Sequence, residues 1–78
     1  MPEPTAEDAI IRLARADAEW KRTRRARRES FSMTQRCIVP PEVQVRARSD
    51  HATFLAASLE HRTALNAVLR LGRKLGAL

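Results

Sequence analysis

Along the first third of the chain, Ala9, Leu13, Ala16, Trp20 and Thr23 recur at alternating spacings of four and three, with Ile10 at their flank. That is one stripe of an α-helix. Thr5 stands where an N-cap is wanted, and Asp8, three residues on, completes a capping-box pair. Glu7 and Asp8 put negative charge in the first turn, where the helix dipole favours it. Nothing breaks the pattern before Ser30-Phe31-Ser32. The spacing predicts a helix over about residues 6–30, roughly 40 Å long. Met1 to Pro4 carries two prolines and reads as a short disordered lead, leaving 5–78 as one small domain.

Residues 31–41, with polar residues, Cys37 and the Pro40-Pro41 pair, read as a connector. The segment after it is ambiguous. Pro41-Glu42 can open a helix, with proline at its first position. Yet Val43 to Arg48 alternates apolar and polar without error, as a half-exposed strand does.

Beyond Asp50, Ala52, Leu55, Ala56 and Leu59 form one apolar helical face, and Leu65, Val68, Leu69, Gly72 and Leu75 form another. On one wheel the second is rotated by roughly 100° from the first. Supercoiling drifts only about 20° per heptad, too little to explain the offset. Glu60-His61-Arg62-Thr63 sits at the changeover. Either the helix bends or breaks near 60–63, or one long helix serves two partners. The fold expected is mainly α: a helical hairpin whose second arm lies within about 42–76, completed to a bundle by a second copy.

Composition strengthens the helical reading. Thirteen alanines stand against two glycines, and there are only three aromatics, which favours close-packed helices over a sheet sandwich. At 78 residues a monomer buries too little to be more than marginal without a staple or a partner. One cysteine, Cys37, cannot close an intramolecular disulfide, which fits a reducing compartment. The N-terminus has acids where a signal peptide needs a basic and an apolar run. No apolar window approaches the roughly 20 residues of a membrane span. The expectation is a cytoplasmic homodimer, or a nuclear one in a eukaryote, that does not engage a membrane.

Charge supplies the functional clue. Lys21 to Arg28 holds six cations in eight residues, and the remaining 70 residues carry nine cations against nine carboxylates. The net +6 therefore belongs to this run, which must stay in water or meet something negative. Position on the helix splits it. Lys21, Arg25 and Arg28 form an outward stripe with Arg22 beside it, while Arg24 and Arg27 fall on the stripe of Trp20 and Phe31. These two cannot be buried unpaired. They must meet acids such as Glu60 or Asp50, splay the bundle open, or meet a ligand. Lysine and arginine that neutralise phosphates release counterions, and arginine-rich helices engage RNA grooves and DNA backbones. Trp20 either fills the core or stacks on a base. The run thus points to nucleic acid, DNA or RNA, with an acidic protein as the alternative partner.

Val43 to Asn66 resembles the ribbon-helix-helix DNA-binding family, in which antiparallel strands from two chains enter the major groove. The resemblance implies a strand over 43–48 with Gln44, Arg46 and Arg48 facing bases. It also implies helices over 50–60 and 64–76, with the arginine-rich helix as an N-terminal extension. The glycine usual between the two helices of that family is missing here. His51, His61 and Cys37 lack the spacing of a metal site, and nothing supplies an oxyanion hole beside a nucleophile. No enzyme, cofactor, metal or small-molecule substrate is expected.

Overall fold

The computed structural model describes residues 5–35 and 38–77; the lead 1–4 and Cys37 lie outside them. Two helices, α1 (Ala6–Met33) and α2 (Pro41–Lys74), pack against each other, with no strand among the described residues. Cross-links between them run in opposite directions: Arg12 reaches Glu60, Trp20 reaches Ser58, Arg27 reaches His51 and Ser30 reaches Asp50. The pair is an antiparallel hairpin. Its Cα extents are 55 × 25 × 13 Å and its radius of gyration is 17.1 Å. A compact domain of this length would have about 11.5 Å. The protein is a rod.

α1 begins as its sequence predicts. The Thr5 hydroxyl accepts from the Asp8 amide at 3.1 Å, and the Asp8 carboxylate accepts from the Thr5 amide at 3.4 Å. It ends three residues later than expected, because the serines and threonine read as a break fold back onto the helix. The Ser32 hydroxyl donates to the Glu29 carbonyl at 2.7 Å, and the Thr34 hydroxyl donates to that of Phe31 at 2.7 Å. The connector shortens accordingly, and the basic run sits a turn inside the helix rather than in its last turn, which holds no cation.

α2 opens on Pro41, as the proline at its first position allows, and carries Glu42 in the first turn. Val43 to Arg48 belongs to this helix. A ribbon of strands would form between two chains, so the single hairpin does not bear on that pairing. Residues 60–63 pass without a break. Their polarity has a different cause: Glu60 and His61 both reach polar partners on α1.

One period governs both helices. In α1 the buried or half-buried positions include 9, 13, 16, 20, 23, 27 and 30, continued by 34 at the helix cap, and in α2 they include 43, 47, 50, 54, 57, 61, 64, 68 and 71. This alternation of four and three is the 3.5-residue repeat of a coiled coil. The residues at its centre are small: Ala9, Ala16, Ala57 and Ala64 are buried, as are Thr23 and Ser30. Small side chains let two helix backbones approach closely, and the stripe read from α1 is the one that packs. In α2 the Leu55/Leu59 face turns outward, with Leu59 66% exposed. Thus the long second helix does carry two faces, but its inner one is made of Ala57, Ala64, Phe54 and His61.

The Arg12–Glu60 clasp joins the helices through bonds of 2.8 and 3.2 Å. Hydrogen bonding from Arg12 holds the Glu60 carboxyl below its usual range. A depressed carboxyl stabilises the fold above its unfolded value, about 4.3 for glutamate. That contribution is lost as pH falls through the folded value. The thermal midpoint followed by circular dichroism should therefore drop as pH is lowered below about 4, and Glu60→Gln should remove part of that dependence. A midpoint equally acid-sensitive in the variant would show that the clasp carries none of it.

Candidate nucleic-acid interface

Folding concentrates the charge. Residues 21–50 contain nine Lys and Arg against three Asp and Glu, while the rest of the chain contains six of each. Antiparallel packing lays the second half of α1 along the first half of α2, so eight of those nine cations, all but Arg36, which lies outside the described residues, fall on the turn half of the rod with the three acids.

The cations there are not equivalent. Lys21 pairs with Asp17 at 2.8 Å, and Arg22 donates to Glu19 at 3.0 Å, each one turn back on α1. These hydrogen bonds hold both carboxyls below their usual range, that of Asp17 chiefly through Lys21. Arg46 lies 3.8 Å from Asp50. Among the described residues, Arg25, Arg28 and Arg48 have no hydrogen-bond or ion-pair partner, and all three are exposed.

Arg24 and Arg27 find neither the acids expected for them nor a splayed end. Glu60 is taken by Arg12, and Asp50 by Ser30 and Arg46. Instead the guanidinium of Arg24 lies over the Trp20 ring, 4.8 Å from its centroid, and that of Arg27 lies 5.2 Å from the centroid of Phe54. Ring faces attract cations without burying them. Arg27 Nε also donates to His51 Nδ1 at 2.8 Å.

Trp20 is engaged within the hairpin. Its indole N–H donates to the Ser58 hydroxyl at 3.1 Å, and its ring stacks on His61 with centroids 5.0 Å apart. His61 Nε2 in turn lies 3.2 Å from Asp17.

Two groups of residues that the sequence offered as separate alternatives meet at the turn end. Arg27 from the basic run, and Gln44 and Arg48 from the alternating segment, line one cavity of about 350 Å³. Phe31, Thr34, Ala47 and His51 complete it. Phe31 and His51 were missed as site residues. Each lies one residue past a seam position, and only the antiparallel register brings them together.

Among the described residues, no helix is long and apolar enough to cross a membrane. No family model, curated protein or solved structure matches the chain.

Proposed function

We propose that the protein is a small, non-enzymatic, basic regulator that binds nucleic acid through the turn half of its hairpin. The observation that carries this reading is the concentration of positive charge on that half, where Arg25, Arg28 and Arg48 have no acid to satisfy them among the described residues. Lys21 and Arg22 flank them. Arg24, Arg27 and Arg46 add charge while held on rings or near Asp50.

The rod's dimensions narrow the mode of contact. Its Cα cross-section of 25 × 13 Å exceeds the roughly 12 Å of a DNA major groove. The packed pair meets phosphates from outside, or a strand that can wrap it. A second copy completes the structure by covering Val45, Leu55 and Leu59, which are 64%, 54% and 66% exposed on the side of α2 away from α1. A ribbon dimer, with Gln44, Arg46 and Arg48 facing bases, would first require the opening turns of α2 to unwind.

The second reading is an adaptor or inhibitor that uses the same arginine patch on an acidic protein. Its support is the apolar row of Val45, Leu55 and Leu59 close to Arg48, since a protein interface takes apolar and charged contacts together.

Titration with mixed DNA and RNA oligonucleotides at two salt concentrations separates the two, using Trp20 fluorescence as the signal. Binding that weakens steeply with salt is expected, with a slope that counts the phosphates contacted. Absence of binding at low salt would defeat the nucleic-acid reading and leave the acidic protein.

A further inference from the structure

The cavity at the turn end has a chemistry of its own. Its volume of about 350 Å³ lies at the lower end of the range for ligand sites, about 300–1,000 Å³. One wall is the ring of Phe31, a residue 55% exposed and so available to a flat apolar body. Opposite in character is Arg27, fixed by its bond to His51 and its seat over Phe54. Its two terminal nitrogens carry no hydrogen bond among the described residues, and they remain as donors. Arg48 adds a second cation, without a partner among the described residues. Gln44 brings an exposed amide, which offers a donor and an acceptor in one plane.

An aromatic surface, two guanidinium groups and a carboxamide around one space fit a planar heterocycle that carries an anion. A nucleotide is such a molecule. Resting on the nucleic-acid reading above, we infer that this cavity takes the base of an unpaired nucleotide. The base lies on Phe31 with its edge toward the Gln44 amide, and its phosphate lies against Arg27 and Arg48. A base inside a duplex is covered on both faces by its neighbours and cannot reach Phe31 unless it leaves the stack. The target is therefore single-stranded, or has an unpaired loop or end, as sequence-reading RNA modules and single-strand binders require. The rod's width points the same way, since a flexible strand can follow a surface too broad for a groove.

The test compares a short single strand with the blunt duplex of the same sequence, each labelled and titrated with the full chain at low salt. The single strand should bind at least about tenfold more tightly than the duplex. Phe31→Ala should cost the single strand about tenfold, the loss of one base–aromatic stack, and leave duplex affinity unchanged. Phe31→Trp should keep single-strand binding. Because Phe31 is more than half exposed, helix content measured by circular dichroism should not move in either variant.

Equal binding of strand and duplex, or a Phe31→Ala variant that binds the strand as well as the parent, would overturn the cavity assignment while the basic-surface reading stood. Failure of both nucleic acids to bind would instead remove that broader reading, and this one with it. Binding of a polyglutamate peptide in their place, lost in Phe31→Ala, would assign the cavity to a protein and overturn the nucleotide.

Discussion

Glutamate at positions 25, 28 and 48 together should lower affinity for nucleic acid by roughly a thousandfold at low salt. These three arginines are the right choice because each is exposed and has no partner within the described chain. Their replacement breaks no native contact, so helix content and melting should stay close to the parent's. Lys21 and Arg22 are poorer targets, since each already neutralises a neighbouring acid and its reversal would disturb α1. The three reversals take the formal charge from +6 to zero. Each lost phosphate contact should also flatten the salt dependence by about 0.7 for a single strand, so the logarithmic slope should fall by about two. Both quantities come from titrating a labelled single strand and following its anisotropy. Unchanged affinity with an intact fold would mean that the turn half of the rod is not the contact surface.

The seam makes an equally sharp prediction about stability. Ala64 is completely buried, at a point where the helices are spaced for a methyl group. Leucine there must push the backbones apart or adopt a strained rotamer, at a cost of about 1–3 kcal/mol. Total stability for a chain this size is on the order of 4–12 kcal/mol, so the loss is a large share. In a thermal melt, Ala64→Leu should lower the midpoint by roughly 5–20 °C. Leu59→Ala removes as much carbon as Ala64→Leu adds, but from a residue 66% exposed, so in an isolated hairpin it should change stability by no more than about 0.5 kcal/mol. If Leu59→Ala proved the more damaging, the outward face of α2 would be the principal core, covered by something other than α1.

That comparison also explains what could be read from the chain. In α1 the packing residues were legible because alanine, leucine and tryptophan recur on one stripe with charges on the others. In α2 the same period is present, through Val43, Ala47, Asp50, Phe54, Ala57, His61, Ala64, Val68 and Leu71. Two of its positions are polar, and the brighter leucines at 55 and 59 lie elsewhere. Hydrophobicity alone ranks those leucines first, whereas a close antiparallel pair selects for smallness. The strand-like alternation of 43–48 is compatible with the helix found there for a related reason. Its Val43 and Ala47 are four apart, so two of the three apolar residues also satisfy the helical seam.

The site was legible in outline and not in detail. A run of six cations declares itself, and Lys21, Arg25 and Arg28 do face outward as the helix wheel requires. Which cations are already satisfied depends on neighbours along the helix and on residues across the turn. Arg24 and Trp20 stand four apart on α1, a pairing open to the helix wheel, but Arg27 could not be assigned to Phe54 without the register of α2. The cavity is further still from the sequence, since Phe31 and Gln44 face it from opposite sides of the connector.

The lopsided charge has a kinetic consequence. At physiological ionic strength a charge is felt over about 8 Å, a small fraction of the rod's 55 Å length. A polyanion therefore senses one half of the molecule and scarcely detects the other. Its field exerts a torque as well as a pull, turning the rod before contact so that the connector end leads. Such orientation raises productive encounters in the way that electrostatic steering does. Under the proposed function, it also leaves the neutral half, with Leu75 71% and Ile10 59% exposed, on the side away from the nucleic acid.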